Sequence, residues 1–381
     1  MLHPLKPVDS QCEDDLLALI DWQRKTLAYA CNYTRFRSDA FRAFMGDAFA
    51  DWFEDSLANG HDKQQKAFNK FRQNLEGLVK CDPIQKQMVL DDFEHDLDFY
   101  LHLENPDFMF AFSPGISDAH EKAKVCLNAF YEFLTWEIPS TLTKSGRSFH
   151  RQDIVQSYLD QNPILSAVCP CCDNIWPEPT HENGTPYTVE HFFHKEEHPT
   201  ICLHPYNLIP MCGACNGRRG NKEMLCPTGD EDVAISQVFH PIDRPVREYA
   251  QLEFRSRRLQ PEMMYFANSP KRVDDWQTAI EAYKAIYDIP GRWQVNWNHV
   301  QHTANSAIRY ALQGLRRMNP LVTLDQFEQE LNAIVKTFMP DKGEIDYGRY
   351  QYPAGRWLTW AKENYLNELY AAHVASRSGP A

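Results

Sequence analysis

Cys169-Pro170-Cys171-Cys172 and Cys212-Gly213-Ala214-Cys215-Asn216 are two cysteine knuckles, and their order and spacing decide how the chain is read. Between them run Val189-Glu190-His191-Phe192-Phe193 and Asn207-Leu208-Ile209-Pro210-Met211. A C-x-x-C pair that shares one metal needs a tight turn, which Pro170 and Gly213 supply. Four thiolates, from Cys169, Cys172, Cys212 and Cys215, can close a tetrahedral Zn²⁺ site with metal–sulfur bonds of about 2.3 Å. Cys171 offers a competing sulfur, and the two-residue spacing favours Cys172. Cys202 and Cys226 read as bystanders. The 39 residues between the knuckles exceed a simple ribbon and must carry structure of their own. The β-branched and aromatic run at 187–193 predicts a strand, 208–211 a shorter one, and 213–225 a helix weakened by Gly217 and Gly220.

On such a frame Glu190 and His191 are neighbours on a strand and face opposite ways, so they need not do the same job. A carboxylate near Asn216 suits a hard cation such as Mg²⁺, which prefers oxygen ligands and keeps several waters. A neutral imidazole can take a proton from a water attacking phosphorus, because its ordinary pKa lies near 6.5. Arg218, Arg219 and Lys222 stand just beyond and are candidates to contact phosphates. His194, His198 and His204 read as surface or packing residues.

Glu190-His191, Asn207 and Asn216, with this flanking sequence, resemble the signature of the HNH (ββα-metal) nuclease superfamily in an H-N-N form. The flanking pattern is similar to that of zinc-knuckle members, common in restriction enzymes and in retron- or Septu-associated defence nucleases. The resemblance covers about 60 of 381 residues. It implies His191 as general base, Glu190 and Asn216 as ligands of a catalytic Mg²⁺ or Mn²⁺, and Asn207 as the residue that fixes the catalytic loop by hydrogen bonding. His194 departs from the family, many of whose members have proline there. The implied function is metal-dependent hydrolysis of phosphodiesters in DNA, with anti-phage defence or restriction as its setting. Rival readings are a non-cutting zinc-knuckle module that docks nucleic acid or protein, and an RNA-cleaving toxin effector.

The balance of 52 acidic against 39 basic residues gives a net charge of −13, unexpected for an enzyme that grips DNA. Residues 1–150 hold 24 Asp and Glu against 16 Lys and Arg, a balance of −8. That acidic part is expected to regulate the nuclease or dock a protein partner, the plainer alternative being a scaffold. Local basic groups, including Arg255, Arg257 and Arg258, can still meet phosphates, since contact needs local rather than total charge. The first residues lack the apolar core of a signal peptide, and no apolar run reaches membrane-spanning length, so a cytoplasmic protein with reduced thiols is expected.

Apolar residues at three-to-four spacing predict helices at 13–31, 38–58, 62–79, 84–103, 118–137 and 151–160, and again at 272–287, 297–317, 323–338 and 353–375. Phe41, Phe44, Met45, Ala48, Phe49, Trp52 and Phe53 form one expected core stripe. Asp118 with Glu121 suggests a capping box, while Glu94, Asp96 and Asp98 read as a solvated face. The expected fold is mainly α with a small α+β insert. Its domains are an acidic helical one at 1–145, a zinc-stapled ββα-metal nuclease unit at 146–230, and a mostly helical region at 231–381.

Overall fold

The computed structural model describes residues 4–162, 165, 169–172, 187–220, 222, 224–226, 233–256, 259, 261–269, 276–318, 321–339 and 351–374. Arg257, Arg258 and the expected helix start at 272–275 lie outside these. The protein is mainly helical, with a few short antiparallel strands. No helix among the described residues is long and apolar enough to cross a membrane.

The chain divides into two compact units. One comprises Lys6–Gln161 and Tyr187–Val238. It begins with α1 (Ser10–Asn32), α2 (Ser38–Met45), α3 (Asp47–Asn59) and α4 (Asp62–Leu78), followed by α5 (Pro83–Leu97), α6 (Asp118–Phe133) and α7 (Arg151–Gln161). Two strands, β1 (Tyr187–His191) and β2 (Leu208–Cys212), lead into α8 (Gly213–Arg219). Capping explains several starts: Asp9 accepts from the Cys12 N–H at 2.8 Å, and Asp82 from the Ile84 N–H at 2.9 Å. The helix expected at 38–58 is two, because Gly46 takes φ +87°, which only glycine adopts readily. That break rotates the stripe, so Ala48 is exposed while Phe41, Met45, Phe49 and Phe53 stay buried. The cap of α6 is Ser117 rather than Asp118, its Oγ accepting from the His120 N–H at 3.3 Å.

The core of this unit is aromatic. Phe68 stacks on Phe133 at 4.1 Å between ring centroids, and Phe49, Phe53, Phe71 and Phe130 pack around them, all buried. Each such side chain contributes about 1.5–3 kcal/mol by leaving water. Asp96 is a correction: it is fully buried, accepting from the Ala111 and Phe112 N–H groups at 2.7 and 3.3 Å and from Thr200 Oγ1 at 2.8 Å.

β1 and β2 pair antiparallel, Glu190 opposite Ile209 and His191 opposite Leu208. A two-stranded ribbon is marginal alone, and here the helices hold it. Tyr131 of α6 donates to the Val189 carbonyl and Tyr158 of α7 to the Leu208 carbonyl, both at 2.7 Å. The boundary expected at 145 therefore does not divide this unit: the N-terminal helices and the strand–helix segment share one core.

The other unit comprises Met1–Leu5, Asn162–Pro186 and Phe239–Ala381. The short α9 (Val246–Tyr249) precedes the antiparallel pair β3 (Ala250–Arg255) and β4 (Met263–Asn268), with Leu252 opposite Phe266. Then come α10 (Gln277–Tyr287), α11 (Ile289–Val295), α12 (Trp297–Met318), α13 (Leu324–Phe338) and α14 (Gln351–His373). The turn α11 fills the gap between the helices expected at 272–287 and 297–317. Pro290 sits at its N-terminal end, where a missing N–H costs nothing.

Candidate active site and cysteine cluster

Cys169, Cys172, Cys212 and Cys215 are all buried, and their sulfurs lie within 4.8 Å of one another. A tetrahedron with bonds of about 2.3 Å has sulfur–sulfur edges of about 3.8 Å, so this set fits one thiolate-bound metal ion. None of the eleven cysteines is in a disulfide. The cluster takes Cys172 rather than Cys171, whose sulfur lies 3.9 Å from the Tyr283 hydroxyl. Backbone contacts brace that knuckle: Tyr283 donates to the Cys171 carbonyl at 3.1 Å and Trp293 Nε1 to the Cys172 carbonyl at 2.9 Å.

Helix α8 links the cysteine cluster to the second candidate centre. Cys215 belongs to the cluster, and the next residue, Asn216, donates from Nδ2 to Glu190 Oε1 at 2.6 Å. Burial pushes the Glu190 carboxyl above its usual range, against the pull of Arg219, Arg151 and Lys195. Glu190 is thus a half-buried acid with three cations acting on it.

His191 is 4 % exposed, and its Nε2 lies 3.0 Å from the Cys202 carbonyl. A carbonyl only accepts, so Nε2 carries the proton and the Nδ1 lone pair is left to act as base. Burial, with Lys195 and Arg219 nearby, lowers the imidazole pKa well below 6.5. It is therefore neutral at pH 7. The ring packs edge-on against Tyr131, centroids 4.2 Å apart.

Asn207 is fully buried and ties the loop after β1 to itself. Its Oδ1 accepts from the Phe193 N–H at 2.7 Å, while Nδ2 donates to the Phe193 and Ile201 carbonyls at 3.2 and 3.1 Å. His194 closes the turn of that loop through its carbonyl, which accepts from the His198 N–H at 2.8 Å. His198 and His204 are packing residues, against Phe110 and Phe99 respectively, and burial lowers the His204 pKa to about 3.

Arg218 and Lys222 are exposed. Arg219 is a correction. It is 2 % exposed and donates from Nη2 to the Phe192 carbonyl at 2.7 Å, so it braces the strand end instead of reaching for a DNA backbone. Arg151 and Lys195 were missed. The guanidinium of Arg151 and the ammonium of Lys195 lie 4.3 and 5.3 Å from the centre of the Tyr131 ring, the ring that also abuts His191. The Nε atoms of Arg151 and Arg219 are buried without a hydrogen-bond partner among the described residues. A buried donor left unmet costs about 1–3 kcal/mol, which marks a place where an acceptor is missing.

Comparison with known protein families, with curated proteins and with solved structures found no match for the chain. The functional reading rests on the site itself.

Proposed function

We propose that this protein is a metal-dependent endonuclease of the HNH type that hydrolyses phosphodiester bonds in DNA, with a structural Zn²⁺ held by Cys169, Cys172, Cys212 and Cys215. The observation that carries the reading is the Glu190–Asn216 pair with His191 beside it, set among Arg151, Lys195 and Arg219. Neutral His191, oriented by the Cys202 carbonyl, takes a proton from water through Nδ1. Glu190 and Asn216 would hold a catalytic Mg²⁺ or Mn²⁺, which would supply charge stabilisation at the phosphate. Arg151 and Lys195 bind the non-bridging phosphate oxygens, and the unmet Nε of Arg151 gains its acceptor there. Tyr131 fixes the spacing of base and cations through one ring. Asn207 keeps the loop from unfolding away from the imidazole.

A plasmid-nicking assay tests this. Wild type with Mg²⁺ or Mn²⁺ should convert supercoiled DNA to open-circle or linear form. His191→Ala should lose about 10²–10⁴ in rate, the range for a missing general base, while elemental analysis still finds one zinc per chain. Equal cutting by wild type and variant would refute the assignment. Cleavage confined to RNA would move the reading to the toxin class, and cleavage of neither to a docking module.

A further inference from the structure

Helix α12 is the electrostatic exception in an acidic chain. Residues 289–324 contain no Asp or Glu and four arginines, whereas at the chain-wide rate of 52 acids in 381 a stretch of 36 would hold about five. Arg316 and Arg317 in the last turn suit the helix dipole and need no further explanation. Arg309, in mid-helix, has no such reason. His302, Ser306, Arg309, Gln313 and Arg317 recur at three- and four-residue steps, so they share one face, and all five are exposed. Tyr310, next to Arg309, is 81 % exposed.

That face borders a groove of about 500 Å³ lined by α12 and α14. Its polar lining among the described residues is Gln301, Asn305, Arg309, Gln313, Arg316 and His373, none of them a carboxylate. Leu312 and Trp357 supply apolar lining. Amides, guanidiniums and an imidazole without an acid form a donor-rich surface of the kind that meets phosphate oxygens. Gly314 adds an independent observation. It is exposed within the helix, where glycine costs about 1 kcal/mol relative to alanine, and a Cβ built on it meets nothing within 4 Å. Packing within the protein does not explain it.

We infer that the Arg309–Arg317 face of α12 and its groove bind the phosphate backbone of duplex DNA, an inference that takes its substrate class from the nuclease reading. It gives an acidic protein a local grip on a polyanion, because affinity follows the phosphates neutralised rather than the total charge. Gripping would then be the work of the unit that holds α12, separate from the residues that cut.

Fluorescence anisotropy with a labelled 30-base-pair duplex tests this, using the full chain in a His191→Ala background so that metal can be present. Arg309→Gln/Arg317→Gln should weaken binding about tenfold or more and reduce the slope of log K against log salt by about 0.9 for each phosphate no longer neutralised. Gly314→Glu, which introduces a carboxylate into open space without a clash, should weaken binding while the melting temperature holds. Lys63→Gln/Lys66→Gln, on exposed positions of α4, removes the same charge elsewhere and should leave affinity near that of the parent. Equal weakening by both double variants, or no measurable duplex binding by the parent, would overturn the inference. Failure of the two readings is separable. Arginine-dependent binding without nicking by wild type retains the groove and removes the nuclease, and nicking with arginine-independent binding does the reverse.

Discussion

Glu190 and Asp96 are two acids of the same unit, one half-buried and the other fully buried, and desolvation pushes both carboxyls up. Asp96 is saturated: two backbone N–H groups and one hydroxyl converge on it, and the work of those bonds is to join the 111–112 segment to Thr200. Glu190 has a side-chain amide from Asn216, while cations from three separate segments act on it across the site. Hydrogen bonds from the chain's own backbone complete a structure. Side chains and cations from other segments surround Glu190, where backbone N–H groups close around Asp96. The buried carboxylate alone does not mark function; its surroundings do.

The largest expected effect breaks the comparison on the Glu190 side. Glu190→Gln keeps the shape and an oxygen for Asn216 but removes the charge. Cutting should fall by about 10²-fold or more, as for a group acting at the reacting centre. Melting temperature should hold or rise, because burial already disfavours the ionised form and its loss relieves that strain. A variant that melts early yet cuts normally would make Glu190 a structural acid like Asp96.

A smaller effect is expected at Arg151. Arg151→Gln should slow cutting by roughly 10-fold, with most of the change in kcat/KM, since a phosphate contact steadies substrate and transition state together. Stability should fall only modestly: Nη2 donates to the Tyr131 carbonyl and Thr135 Oγ1 at 3.3 Å each, and the guanidinium lies over the Tyr131 ring. If the rate is unchanged while binding of the duplex falls, Arg151 acts outside the reacting phosphate and the cations around Glu190 must be divided between cutting and holding.

How much of this could be read from the chain depended on the distance over which it was written. The cysteine set and the Glu190–Asn216 pairing were legible because their residue types recur at fixed short spacings around two strands and a helix start. Asn207 was singled out only through the resemblance to HNH nucleases; the structure shows its bonds to Phe193 and Ile201. Tyr131, Arg151 and Lys195 were not: a tyrosine at 131 and a strand at 187 meet only through the packing of α6 and α7, which no local pattern records. Arg219 looked solvent-facing because arginine usually is; its guanidinium fits against the Phe192 carbonyl only once β1 and α8 are in place. Asp96 was misread because Glu94, Asp96 and Asp98 alternate like a polar face, whereas its partners stand 15, 16 and 104 residues away. The break at Gly46 was visible as a glycine but not as a turn, since glycine is tolerated in helices at modest cost.

The smallest effect sharpens the other side of the comparison. Burial outweighs the three hydrogen bonds to Asp96 and raises its carboxyl from 3.8 to about 6, so the folded protein keeps a proton there that the unfolded chain releases. Stability from this group is then fully present below about pH 4 and is lost as pH rises through about 6, by about 3 kcal/mol. Asp96→Asn cannot titrate, and its amide also sets a donor against donors, which costs about 1–3 kcal/mol at any pH. The advantage of wild type over Asp96→Asn in urea unfolding should therefore shrink between pH 4.5 and pH 7.5, while cutting per folded molecule stays the same. An advantage that grows with pH instead would mean that the two N–H groups and the Thr200 hydroxyl win over burial. Asp96 would then be ionised in the folded protein, a saturated charge that needs no cation, and its contrast with Glu190 would rest on hydrogen bonding alone.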